Sequence, residues 1–132
     1  MELGIKRNLG IYSVQDFYNE LHKIFLQIKI SHYTTKNYST HKALDRAYKD
    51  YNDLMDEITE EMTGYSKEEP AKFELSVYPL SIDVLGQTLI DFAVRLKTEA
   101  KMRGWQNVES LSDSVSGIGA ELKYFSRFTE SN

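Results

Sequence analysis

Residues 32–60 read HYTTKNYSTHKALDRAYKDYNDLMDEITE. Leu44, Ala47, Tyr48, Tyr51, Met55, Ile58 and, just beyond, Met62 recur at intervals of three and four, which is the pattern of one apolar face of an α-helix. The charged residues keep the same rhythm: His41 and Asp45 are four apart, as are Asp56 and Glu60, so each pair faces one way. On a helix advancing about 100° per residue, these four side chains fall within an arc of roughly 100°, in a stripe centred about 120° from the apolar one. At about 1.5 Å per residue the two pairs stand roughly 22 Å apart, too far to share an ion within one chain. Two copies packed antiparallel about a two-fold axis would bring His41 and Asp45 of one to Asp56 and Glu60 of the other, giving two equivalent sites per dimer. Imidazole with carboxylates suits iron, zinc or manganese better than calcium or magnesium. Alone, Asp45, Asp56 and Glu60 read as a solvated acidic face shared with Asp50, Asp53, Glu57 and Glu61; His41 and the matched spacings turn the reading toward a metal.

The order His41-x3-Asp45-x10-Asp56-x3-Glu60, preceded by His32 and a short loop, resembles the ferroxidase motif of the Dps-like mini-ferritins. That resemblance implies a ferritin-like bundle and an iron site (Fe2+/Fe3+) lying between subunits. His32, His41 and Asp45 would come from one chain and Asp56 and Glu60 from its neighbour, with Fe(II) oxidation as the activity. The loop between the two histidines is shorter than in that family. Tyr33 stands where tryptophan is usual, and Glu61 where an arginine follows the glutamate. The likeness covers about the first half of the chain, and it extends to small helical proteins of tailed phages that carry a similarly shortened motif.

At 132 residues the chain is long enough for one domain with a real core, and 41% hydrophobic residues make it globular. A formal charge of -4 leaves no basic excess for phosphate, so DNA binding is not expected. The absence of cysteine excludes disulfides and thiolate metal sites. No apolar run reaches the length of a membrane span and the first residues lack a signal peptide's apolar core, so the expected location is cytoplasmic: host cytoplasm, or the virion for a phage-encoded chain.

Residues 1–12, with Gly4 and Gly10, read as an irregular arm. Ser13 followed by Asp16 reads as a helix start, and Val14, Phe17, Leu21, Ile24 and Ile28 carry an apolar stripe to about residue 33. His22 reads as a plain surface or boundary residue. His32, at this helix's end, reads from its position alone as an imidazole favoured by the helix dipole. Ser39 or Thr40 caps the second helix, which is expected to run from about 40 to 63 and to end at Gly64 in a left-handed cap. Residues 64–80, with Pro70 and Pro79, form a long crossover with room for one short helix. Ser81 or Asp83 opens a third helix, with Leu85, Leu89, Phe92 and Leu96, that ends at Gly104. Asn107 caps a fourth bearing Val108, Leu111, Val115, Ile118, Leu122, Phe125 and Phe128. Gly117 and Gly119 weaken that helix by about 1 kcal/mol each unless close helix approach uses their size. Trp105, between the two, is expected to cap the bundle end.

The expected fold is all-α: a single antiparallel four-helix bundle, ferritin-like, with a crossover between helices 2 and 3. The expected function is a homo-oligomeric metal-binding protein, at least a dimer and open to a larger cage, with iron favoured over zinc or manganese. The alternative is a non-catalytic phage structural or host-targeting interaction protein that keeps the bundle.

Overall fold

The computed structural model describes residues 12–129. The arm expected over residues 1–12 therefore lies outside the described residues except for Tyr12. Four helices follow: α1 (Val14–Thr34), α2 (Tyr38–Ser66), α3 (Ile82–Arg103) and α4 (Gln106–Thr129). They form an antiparallel four-helix bundle, in which α1 packs on α2 and α3, and α4 packs on the same two.

Local chemistry explains most of the ends. Ser13 accepts from the Asp16 backbone N–H while Asp16 accepts from that of Ser13, a reciprocal cap that satisfies two otherwise unpaired donors. Ser81 caps α3, and Gly104, at φ 75°, ends it in the left-handed region that glycine enters without penalty. Helix α2 departs from expectation at both ends. Its cap is Asn37, whose side-chain oxygen accepts from the Thr40 N–H at 2.9 Å, so Ser39 and Thr40 lie inside the helix. At the other end the helix runs through Gly64 to Ser66, and Lys67 takes the left-handed position at φ 60°. Tertiary contact carries it past the glycine: the Tyr65 ring stacks on Trp105 at 6.2 Å, and its hydroxyl accepts from the Asn107 N–H. Asn107 is likewise not a cap. It lies in the first turn of α4, and its side-chain amide donates to Glu61 at 2.9 Å. Trp105 closes this end of the bundle as expected, 5% exposed, with the Arg103 guanidinium over its ring.

Residues 67–81 contain no helix. They run back along α1, held by three side chains of its outer face at helical spacing. The Gln15 amide donates to the Glu69 carbonyl and accepts from the Ala71 N–H; Asn19 does the same for both backbone groups of Glu74. His22 donates through Nδ1 to the Tyr18 carbonyl and stacks on Phe73 at 4.4 Å. Ser31 then accepts from the Leu80 N–H at the far end of α1. The crossover thus delivers α3 to the end where α1 finishes, and α3 runs back until Arg103 donates to the Tyr12 carbonyl.

The core is made by the stripes read from the sequence. Phe17, Leu21, Ile24 and Ile28 meet Leu44, Tyr51, Ile58 and Met62 and, across the bundle, Leu85, Leu89, Phe92, Leu96, Val108, Val115 and Leu122. In α4 the stripe opens toward its end: Leu111, Ile118 and Phe125 are half-buried and Phe128 is exposed. Tyr51 brings a hydroxyl into this core and donates it to the Leu21 carbonyl at 2.7 Å; burial pushes its ionisation well above the usual tyrosine value. Gly86 of α3 and Gly119 of α4 face each other so closely that a Cβ on either would stand 2.6 Å from the other's carbonyl oxygen.

Candidate metal centre

The turn between α1 and α2 brings together three of the five residues singled out above. His32, on the last turn of α1, stacks on His41, on the first turn of α2, with ring centroids 4.0 Å apart and planes 26° from parallel. The His41 Nδ1 lies 3.2 Å from the His32 carbonyl. A carbonyl can only accept, so Nδ1 carries the proton and the lone pair of a neutral His41 sits on Nε2, as in a metal-binding imidazole oriented by a backbone carbonyl. His41 itself is exposed. One turn along α2, Asp45 places Oδ1 3.7 Å from His32 Nε2.

That gap exceeds hydrogen-bonding distance, and both ring nitrogens of His32 are buried without a hydrogen-bond partner. Its side chain is 14% exposed. Burial, and then the neighbouring His41, push the His32 imidazole below the usual histidine range, so the neutral ring with a free lone pair is the favoured form. Such nitrogens are costly to leave unmade, and a cation would satisfy one of them. Two donors each about 2.0–2.2 Å from one ion stand roughly 3–4 Å apart, so His32 and Asp45 are spaced as co-ligands can be. The donor set of imidazole and carboxylate therefore fits a transition-metal ion. Lys49 competes for it. Its ammonium lies 2.9 Å from the other Asp45 oxygen and holds that carboxyl below the usual carboxylate range. Its spacing of four from Asp45 makes this competing pair legible in the sequence.

Asp56 and Glu60 are not brought to this cluster. They are exposed farther along α2, and Asp45 to Asp56 alone spans about 16 Å of helix. Among the described residues no three His, Asp or Glu side chains surround a point that could hold an ion. Two imidazoles and a carboxylate thus gather at the start of α2, and two carboxylates stand exposed on its second half.

A family model described as a family of unknown function (DUF5856) matches residues 32–125. The chain belongs to that family. The matched span starts at His32 and takes in all five residues discussed here, together with α2, the crossover, α3 and most of α4. No curated protein and no solved structure matches the chain. No helix among the described residues is long and apolar enough to cross a membrane.

Proposed function

We propose that this protein is a Dps-like metal-binding bundle in which two copies share a pair of transition-metal sites, each formed by His32, His41 and Asp45 of one copy and Asp56 and Glu60 of the other. The observation that carries the reading is His32, an imidazole buried beside a carboxylate with neither ring nitrogen hydrogen-bonded. Within the site His41 is oriented by the His32 carbonyl, and Asp45 would exchange Lys49 for the ion. Iron is the expected metal, with zinc or manganese compatible with the same donors. Fe(II) is then substrate as well as ligand, and its oxidation by oxygen or peroxide is the chemistry such a site supports.

The test is an anaerobic Fe(II) titration of metal-stripped protein by calorimetry. About one ion per chain is expected, with binding lost in His41→Ala and in Glu60→Ala, and partly regained when the two variants are mixed. Binding that survives both substitutions would refute the assignment. The alternative is a non-catalytic structural or interaction protein, and the observation that favours it is Lys49, which already neutralises Asp45 without a metal. Retention of the fold with no affinity for Fe(II), Zn(II) or Mn(II) would decide for it.

A further inference from the structure

Opposite its core stripe, α2 carries a band of charge that changes sign at mid-length. Lys42, Arg46 and Lys49 are exposed on the first half, and Asp53, Asp56, Glu57 and Glu60 on the second. At about 100° per residue all seven fall within an arc of roughly 100° facing away from Leu44, Tyr51 and Ile58. The four acids make no ion pair or hydrogen bond among the described residues. Like charges three and four apart on a helix repel. Arg46 also has no ion pair there, Lys42 rests over the Tyr38 ring, and Lys49 is held only by Asp45 on the same helix.

We propose that this band is the seam of a homodimer, with α2 of a second copy laid antiparallel along it. Lys42 then meets the partner's Glu60, Arg46 the partner's Glu57 and Lys49 the partner's Asp53. All three pairs are centred at Tyr51 to Asn52, so a single two-fold axis there serves them all. The lean of two pairs agrees with that axis: Lys42 and Glu60 lie on the midline of the band, and Arg46 and Glu57 lean to the same side, as a two-fold perpendicular to both helices requires; Lys49 and Asp53, next to the axis, lie about 20° to either side of the midline.

The second copy is the occupant because it alone presents acid to the basic half and base to the acidic half in one register. A nucleic acid would be attracted to one half and repelled by the other. Exposed ion pairs select register more than they supply affinity, so apolar contact has to accompany them. It is available beside the basic half, in a groove of about 760 Å3 whose walls include Ala43 and Tyr124. Tyr124 is 56% exposed there.

The axis of the seam lies within a residue of the one that the metal sites proposed above require, and Glu60 is claimed by both, but the seam does not require the metal. The experiment is therefore sedimentation equilibrium of metal-stripped protein in chelator at micromolar concentration. The expected species is twice the 15.3 kDa chain at low salt. Association should weaken at least about tenfold near 1 M salt, where the Debye length falls to about 3 Å. Lys42→Glu/Arg46→Glu/Lys49→Glu and Asp53→Lys/Glu57→Lys/Glu60→Lys should each be folded and monomeric, and should pair with each other when mixed. A monomeric wild type, a dimer indifferent to salt and to both charge reversals, or charge-reversed chains that fail to pair on mixing would overturn the seam. A dimer that appears only when Fe(II) is added would overturn it too, while leaving the metal reading intact.

Discussion

Replacing His32 by leucine separates a ligand from a packing residue, because the two roles predict opposite signs. In the metal-free protein the neutral ring has one N–H and one lone pair buried without partners. Each such loss costs about 1–3 kcal/mol, and the low end applies to a ring that is 14% exposed with Asp45 Oδ1 at 3.7 Å. Leucine removes both unmet groups at similar bulk but gives up the stacked contact with His41, about 0.5–1.5 kcal/mol. The balance is a gain of about 1 kcal/mol, or roughly 4 °C in Tm for a chain of this size.

Acidification should widen the gap. The folded-state pKa of His32 is depressed below the usual 6.5, so the unfolded chain takes up the proton first. Wild-type stability from this group is therefore complete above about pH 6.5 and falls as pH drops toward the folded value, whereas leucine contributes no such slope. Urea denaturation in chelator at pH 8 and pH 5, at matched protein concentration, measures both effects. Saturating Fe(II) under anaerobic conditions should reverse the order, since only the wild type gains binding energy. A loss of about 1 kcal/mol or more in His32→Leu at pH 8 would show that the imidazole nitrogens are satisfied in solution, and the argument for a ligand would fall with it.

Gly119→Ala should destabilise by about 1–2 kcal/mol, because its Cβ would stand 2.6 Å from the Gly86 carbonyl oxygen and 2.9 Å from Leu89 and Ile90, and overpacking outweighs the gain in helix propensity. Gly117→Ala, two residues earlier with nothing within 4 Å, should stabilise by about 1 kcal/mol; thermal melts in which the two shift together would contradict the close α3–α4 crossing. Tyr51→Phe should cost about 0.5–1.5 kcal/mol by removing the buried bond from its hydroxyl to the Leu21 carbonyl, and a chemical denaturation midpoint equal to wild type would rule that bond out. Metal affinity should fall on acidification, because an imidazole has to be neutral to coordinate; titrations giving the same affinity at pH 8 and pH 5 would point to carboxylates alone.

What could be read in advance tracks how local its cause is. The starts of α1 and α3 and the end of α3 were legible because Ser13 with Asp16, Ser81, and Gly104 each act within one turn of themselves. Gly64 looked like the same kind of signal as Gly104, yet α2 continues through it. The cause lies on another helix, in the Trp105 ring and the Asn107 amide that hold Tyr65. The expected Asn107 cap failed for the same reason, since that side chain is spent on Glu61. Gly117 and Gly119 could not be told apart by propensity, and only the position of Gly86 on α3 distinguishes them.

The candidate site divides along the same line. The meeting of His32, His41 and Asp45 follows from a short turn joining two helices, so sequence spacing carries it. Whether Asp56 and Glu60 join them depends on a surface that one chain does not contain. Spacing along α2 fixes how far apart the two groups are, and a two-fold axis near Tyr51 is what would cancel that distance. The charge band and the ligand stripe call for nearly the same axis from residue sets that share only Glu60: Lys42, Arg46 and Lys49 against Asp53, Glu57 and Glu60 in one case, His41 and Asp45 against Asp56 and Glu60 in the other. Their convergence is informative because the first arrangement contains no histidine and the second no cation. Reversing the charges of Lys42 and Arg46 alone should therefore weaken metal binding in proportion to the loss of dimer, although neither side chain is a proposed ligand. Metal affinity unchanged in a monomeric double variant would break the link between them.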